Sequence, residues 1–182
     1  MRLIHTLPLA AAIALAACGG GDTVEDPANN PDAVADAMAS LPNPEPGEYR
    51  ITGELVEFEV PGMSEQETQM VQGMMAAVFA EPQSQCLTAE QAAEGYQAFI
   101  NGMGQNDDDC TMESFETTDS GFTARMACAD DTGNSGTMTY AGEVTGDSMD
   151  MTMTVDGNDP DMGTMHMVVS MNSQRVGDCT AG

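Results

Sequence analysis

The sequence MTYAGEVTGDSMDMTMTV, residues 138–155, alternates between apolar and polar side chains on both sides of Gly146-Asp147. A period of two is typical of a β-strand with one buried face. A two-residue turn at Gly146-Asp147 makes the two halves a β-hairpin. The register is specified, because a slip of one residue would turn every apolar side chain to the opposite face. The expected pairs are Val144 with Met149, Gly142 with Met151, Tyr140 with Met153, and Met138 with Val155.

The same alternation continues the sheet on both sides of this hairpin. Cys110–Thr117 and Gly121–Cys128 are predicted to fold back about Asp119, and a bulge at Gly121 would shift their register by one residue. A first strand is predicted over Glu48–Val60, and a last strand follows a loop at residues 156–161. The earlier hairpin is expected to pair Cys110 with Cys128, Met112 with Met126, and Glu113 with Arg125, and the inward residues of the last strand are Met165, Met167, Val169 and Met171.

Two helices are predicted between the first strand and the remaining sheet. Ser64–Glu67 and Thr88–Gln91 both have the pattern of a capping box, and apolar residues recur at helical spacing after each. We therefore expect an α+β domain, with two N-terminal helices packed on an antiparallel β-meander of about five strands, as an open sheet or a half-barrel. The apolar positions are Met70, Val71, Met74, Met75, Val78 and Phe79 in the first helix, which ends at Pro82, and Ala92, Ala93, Tyr96, Phe99, Ile100 and Met103 in the second, which ends at Gly102 or Gly104.

The N-terminus has the features of a lipoprotein signal peptide over residues 1–17: Arg2, a short apolar run and small residues before Cys18. Cys18 directly after Leu-Ala-Ala resembles the bacterial lipobox, in which this cysteine becomes the first residue and carries acyl chains such as palmitate. Several acyl chains make a firm membrane anchor. Gly19 resembles the sorting signal of outer-membrane lipoproteins. An ordinary secretory signal with an incidental cysteine is the alternative.

The chain is thus divided into three parts. Residues 18–47 are predicted to be the acylated Cys18 and a flexible tether, because they are rich in Gly, Asp, Asn and Pro, with at most a short helix near Ala33–Ser40. Residues 48–182 are predicted to form a single α+β domain held by disulfides.

Acidic residues dominate the charge: the chain contains 30 Asp and Glu against four Lys and Arg, and its formal net charge is −26. Such a surface repels nucleic acid and anionic lipid head groups, so nucleic acid is not expected as a partner. The chain also contains 17 Met and no Trp, so methionine must supply much of the core volume.

Four cysteines follow Cys18, and in an oxidising compartment they allow three connectivities. The predicted hairpin favours a Cys110–Cys128 disulfide, which leaves Cys86 with Cys179. Their spacing suits no zinc site, and no Cys-x-x-Cys motif is present.

The order of these features resembles a bacterial family known only as domain of unknown function 3617, which consists of Met-rich secreted proteins and lipoproteins. The resemblance covers residues 46–179. Family members often have Leu-Trp after the opening Pro-Gly, where this chain has Glu48-Tyr49. The family implies no catalytic residue, because it has no established activity. The residues that carry the resemblance are Pro46–Tyr49, Val60–Met63, Cys86–Thr88, the Cys110–Cys128 hairpin, Ser148–Met153 and Arg175–Cys179.

Methionine side chains on adjacent strands are candidate ligands for a soft metal, since thioethers suit Cu(I). His166 is not expected to join them, because alternation sends it to the opposite face from Met165 and Met167. A plastic core, or a groove for an apolar ligand, is the alternative that requires no special geometry. The candidate methionines are Met149, Met151, Met153, Met165 and Met167.

Hard-metal binding and catalysis have weaker support in the sequence. Three acidic loops, at residues 106–109, 130–134 and 156–161, have the oxygen ligands that calcium prefers, but none has EF-hand spacing and each is interpreted as a turn. The chain has no Lys, and His166 is its only His after the signal peptide, which removes most nucleophile-and-base arrangements.

We therefore expect a lipoprotein of the bacterial outer membrane that faces the periplasm and is not an enzyme. Its domain is expected to bind a ligand or contact the envelope, without a cofactor. The membrane is the expected partner through the lipid anchor, with an envelope protein or an apolar ligand as a second. Cu(I) binding and apolar-ligand carriage are the alternatives.

Overall fold

The computed structural model of the chain describes residues 21–96, 110–160 and 163–180. Within these residues the chain forms one antiparallel sheet of eight strands, in the order β1-β4-β5-β6-β7-β8-β2-β3, and three helices. The strands are β1 (Thr23–Val24), β2 (Gly47–Glu59), β3 (Gln83–Leu87), β4 (Cys110–Thr117), β5 (Gly121–Ala129), β6 (Ser135–Val144), β7 (Ser148–Asp159) and β8 (Gly163–Gly177), and the helices are α1 (Pro31–Ala39), α2 (Glu65–Ala80) and α3 (Ala89–Ala93).

The prediction of two helices on a meander of about five strands is wrong, because the described residues form a mostly β structure. Strands β4 to β8 do form a meander, but β2 pairs with β8, β3 pairs with β2, and β1 pairs with β4. The sequence of β3, QSQCL, has four exposed residues and no apolar face. Its main-chain hydrogen bonds to β2 hold it in the sheet, and such bonds leave no hydrophobic pattern in the sequence.

The predicted helices are confirmed in part. Both capping boxes are present, at Ser64 with Glu67 and at Thr88 with Gln91. The second helix is much shorter than expected, since α3 ends at Ala93 and Gly95 takes a positive φ of 62°. This left-handed conformation is typical of a helix C-terminus. The expected positions Phe99, Ile100 and Met103, with Gly102 and Gly104, lie outside the described residues.

The hairpin of residues 138–155 has the predicted register at all four pairs. The β4–β5 hairpin pairs Cys110 with Cys128 and Met112 with Met126, as expected. The bulge, however, lies between Met112 and Ser114 instead of at Gly121, so Ser114 is opposite Arg125. Glu113 still contacts Arg125, with 3.0 Å between Oε2 and Nε.

Both expected disulfides are present. Cys110–Cys128 joins β4 to β5 with its Cα atoms 4.0 Å apart, and Cys86–Cys179 joins β3 to the chain after β8 with its Cα atoms 5.5 Å apart. The second disulfide thus connects the edge strand that the sequence did not reveal to the C-terminal part of the domain.

The first core cluster contains α1, which lies inside the segment predicted as a tether. Val34, Met38 and Leu41 are buried against Phe115 and the rest of the inner face of the sheet. The short helix expected near Ala33–Ser40 is present as α1, but residues 31–41 pack in the core and do not form a flexible tether. The sequence indicates a buried helix here only through a short stretch, VADAM, with apolar residues at helical spacing. The residues around this stretch are mostly polar, which is typical of a tether.

The second core cluster lies beneath α2 on the same face. Phe58, Val60, Met167 and Val169 are buried there, and Val71, Met75 and Phe79 of α2 pack on them. No residue of α2 is fully buried. A second stripe of the helix, Met70, Met74 and Val78, is 59–71% exposed.

Gly142 on β6 leaves room for the ring of Phe122, which is 3% exposed. A Cβ at position 142 would overlap this ring, so Gly142→Ala must displace a packed side chain. We expect Gly142→Ala to lower the free energy of unfolding by about 1–3 kcal/mol in urea denaturation. Gly73→Ala is the matched control, because a Cβ there meets nothing within 4 Å. It lies in a helix and should raise stability by about 0.5–1 kcal/mol. A neutral Gly142→Ala would contradict the packing argument.

Candidate functional site

A cleft of about 360 Å³ lies on the inner face of the sheet, and Met171 in its lining packs against both core clusters. Strands β7, β8 and β2 form its floor, β3 forms one wall, and residues near Pro44 and Tyr96 form the other. Its volume is at the lower end of the range of about 300–1,000 Å³ that is usual for small-molecule sites. We call it the methionine cleft, and its floor is formed by Ile51, Met149, Met151, Met171 and Ser173.

Two tyrosines in the lining direct their hydroxyl groups to main-chain carbonyls. The Tyr49 hydroxyl donates to the carbonyl of Glu45 at 2.7 Å and lies 3.2 Å from that of Gly146. The Tyr96 hydroxyl donates to the carbonyl of Pro42 at 3.2 Å. Burial raises the pKa of Tyr96 to about 12 and also raises the pKa of Tyr49, so both are neutral. Their rings, and not free hydroxyl groups, are what the cleft offers to a ligand.

Three polar side chains of the lining also form hydrogen bonds with other side chains. The hydroxyls of Thr145 and Ser148 are 2.8 Å apart, and Asn172 donates to Asp150 at 2.7 Å. None of the described lining residues is charged, although the chain has 30 acidic residues. An apolar and uncharged ligand would lose least on entering such a site, since a buried charge needs a partner.

The structure divides the five candidate metal-ligating methionines between two places. Met149 and Met151 line the methionine cleft, where they are joined by Met171. Met153, Met165 and Met167 belong to the second core cluster. Met151 is directly opposite Met171 across β7 and β8.

His166 lies on the outer face of the sheet, opposite to its methionine neighbours, as alternation predicts. Its Nδ1 is 2.7 Å from Oδ1 of Asp156, and its Nε2 is 3.4 Å from Oε2 of Glu57. The hydrogen bond to Asp156 is the largest cause that raises the pKa of His166, and Glu57 adds to it. Among the described residues no group of three or more His, Cys, Asp or Glu side chains is arranged to hold a metal ion.

The raised pKa of His166 predicts a pH dependence of stability. The protonated imidazole stabilises the fold fully below about 6.5, and this contribution is lost as the pH rises through the folded-state pKa. In Asp156→Asn we expect the pKa to fall towards 6.5 and the pH dependence to weaken. NMR titration of the imidazole, with urea unfolding between about pH 5 and 8, measures both. Glu54→Gln, a change on β2 opposite Ser170, is the control. An unchanged pKa in Asp156→Asn would contradict the assignment.

Of the acidic loops predicted from the sequence, residues 130–134 form a turn. The Asp130 carboxylate accepts hydrogen bonds from Thr132 and Asn134, which lower its pKa to about 2. Asp156 is engaged with His166 in a strand that continues to Asp159, so the expected loop at residues 156–161 is shorter than predicted. The loop at residues 106–109 lies outside the described residues.

The lipidation candidate Cys18 and the signal peptide at residues 1–17 also lie outside the described residues. No helix in the part of the chain that the structure describes is long and apolar enough to cross a membrane.

Sequence reasoning missed the walls of the methionine cleft. Pro44 lies in the predicted tether, and Gln85 and Leu87 lie on β3, which the sequence does not predict. One signal was available: the expected Cys86–Cys179 disulfide already implies that Leu87 lies beside the end of the last strand. The other wall, at Tyr96, follows from the early end of α3, for which only Gly95 gave a signal.

The sequence model of a family described as a protein of unknown function (DUF3617) matches residues 44–179. Neither a curated protein nor a solved structure matches the chain.

Proposed function

Because this chain belongs to the DUF3617 family, whose description assigns no function, we propose a function from the methionine cleft. The protein is a lipoprotein of the bacterial outer membrane, faces the periplasm, and binds an apolar, uncharged ligand in this cleft. The observation that carries the proposal is the uncharged lining of the cleft in a chain with a net charge of −26. Charges that are abundant elsewhere are absent from the described lining of this concave surface.

The composition of the lining favours binding over catalysis. General acid–base catalysis requires a titratable group near neutral pH within reach of the substrate. The titratable residues of the described lining are Tyr49 and Tyr96, and burial raises the pKa of both. We therefore propose a carrier or sensor of its ligand that is not an enzyme.

The membrane anchor is tested by metabolic labelling of the full-length chain in a bacterial host with palmitate. We expect label on the wild type and none on Cys18→Ala. In detergent phase partitioning, the wild type should enter the detergent phase and Cys18→Ala the aqueous phase. Unchanged partitioning of Cys18→Ala would overturn the lipid anchor.

The ligand site is tested by filling it. Ser173 is a small residue on the floor of the cleft, opposite Met149 on one side and Ile51 on the other. We expect Ser173→Phe to weaken binding of the neutral fluorescent probe N-phenyl-1-naphthylamine at least about tenfold, a change of about 1.4 kcal/mol. Ser170→Phe is the matched control, because Ser170 lies on the same strand, where it pairs with Thr152 on the outer face. Equal binding by both variants would place the probe elsewhere.

Cu(I) binding is a second candidate, and it is favoured by one observation: Met149, Met151 and Met171 line the same cleft. Thioethers are soft ligands that suit Cu(I). If Cu(I) is the ligand, the metal should survive dialysis and disappear when these three residues become Leu. The matched control is the replacement of Met153, Met165 and Met167 by Leu, since these belong to the second core cluster. Full retention of Cu(I) by the first variant would exclude a thioether site in the cleft.

A further inference from the structure

The composition predicts a tether up to residue 47, but the folded domain already begins near Asp22, close to Cys18. The carbonyl of Asp22 accepts a hydrogen bond from the main-chain N–H of Thr117 at 2.8 Å, and β1 begins at the next residue. Four residue steps separate Cys18 from Asp22, and a fully extended chain covers at most about 14 Å in four steps. A polar head-group layer takes about 5–8 Å of this distance on one side of a bilayer. An acylated Cys18 would therefore hold the domain against the membrane surface.

The register of the sheet relates this attachment point to the methionine cleft. Thr117, beside Asp22, is opposite Phe122, and the same row continues through Gly142, Met151 and Met171. Asp22 and Met151 are therefore level along the strand direction and four strands apart, about 19 Å along the sheet. The step from β1 back to Asp22 points the same way along the strands as the step from Met171 to Ser173. The cleft continues in this direction towards Tyr49.

We propose that the ligand of the methionine cleft is one acyl chain of a phospholipid, taken directly from the membrane that holds Cys18. This inference rests on the proposed function, because it requires both the lipid anchor and the apolar site. The uncharged lining suits a hydrocarbon chain, and a phospholipid monomer is scarce in water because each exposed methylene costs about 0.8 kcal/mol. A cleft held at the bilayer avoids this aqueous step, since the acyl chain exchanges one apolar environment for another.

The test uses the lipidated protein, produced from the full-length sequence in a bacterial host, on phosphatidylcholine vesicles. These vesicles contain a phosphatidylcholine with a diazirine on one acyl chain. Zwitterionic vesicles are chosen because a net charge of −26 is repelled by anionic head groups. After illumination, peptide mass spectrometry should find lipid adducts on Ile51, Met149, Met151 or Met171. We expect at least about tenfold fewer of these adducts in Ser173→Phe, and no change in Ser170→Phe. Ile51→Trp is a second blocking variant, in case Ser173→Phe does not fold.

A variant with a longer connection between Cys18 and Asp22 separates uptake of lipid from the membrane from binding in the cleft. Twenty Gly and Ser residues inserted between Gly20 and Gly21 lengthen the connection from four to 24 steps, which lowers the effective concentration of the cleft at the bilayer by about tenfold. We expect adducts in the cleft to fall accordingly, while binding of N-phenyl-1-naphthylamine stays unchanged.

Two outcomes overturn the inference while leaving the proposed function intact. One is probe binding that Ser173→Phe blocks, together with an absence of lipid adducts in the cleft. The other is an unchanged number of lipid adducts in the cleft when the connection to Cys18 is lengthened, since a free lipid monomer would then be the source. Failure of both the probe and the lipid to bind overturns the proposed ligand site itself.

Discussion

Met38→Ala should lower the free energy of unfolding by about 2–5 kcal/mol, because it removes a side chain that is 1% exposed in the first core cluster. The loss combines the transfer free energy of the deleted atoms with the cavity that remains under α1. Urea denaturation followed by circular dichroism measures it. The result also tests whether residues 31–41 belong to the domain, since a flexible tether would tolerate any small side chain.

Met70→Ala is the matched control for this prediction. Met70 lies on a helix as Met38 does, but it is 61% exposed. We expect its replacement to change stability by less than about 0.5 kcal/mol. Similar effects of the two substitutions would contradict the placement of α1 in the core.

Replacing both Cys86 and Cys179 by Ser should lower the free energy of unfolding by about 4–5 kcal/mol. The disulfide spans 93 residues, and in the chain-entropy model its loss frees a long loop in the unfolded state. Replacing both Cys110 and Cys128, which are 18 residues apart, should cost about 3 kcal/mol on the same model. Urea denaturation of the two double variants gives the comparison, with thiol titration as a check that the remaining disulfide is formed. A larger loss in the second variant would show that strain or packing outweighs loop length.

Some features of the fold could be predicted because several signals agree on them. The hairpin around Gly146-Asp147 combines a strict alternation with a two-residue turn, and its register is the predicted one throughout. The opposite orientation of His166 and its methionine neighbours follows from the same period of two. The Cys110–Cys128 pair follows from the neighbouring hairpin.

Other features have no local signal, because long-range contacts create them. Strand β3 is held by hydrogen bonds to Gly47–Ile51, which pairs with it from Gly47 with Leu87 to Ile51 with Gln83, and by a disulfide to Cys179. α1 is buried only because the sheet, formed by residues far along the chain, covers Val34 and Met38. The methionine cleft has a floor of predicted strands and walls that depend on long-range contacts, so its floor could be inferred from the sequence and its walls could not.

The five-residue strand β3 also limits what the sheet presents to other molecules. A free strand edge offers unpaired N–H and C=O groups to a second chain, which is a common route to aggregation. Here the outermost strand is short, its Gln83, Ser84 and Gln85 side chains are exposed and polar, and a covalent bond holds it in place. Strand β2, whose alternating apolar side chains would make it a good template for a growing fibril, is thereby shielded along Gly47–Ile51. Reduction of Cys86–Cys179 would therefore promote aggregation and also lower the free energy of unfolding.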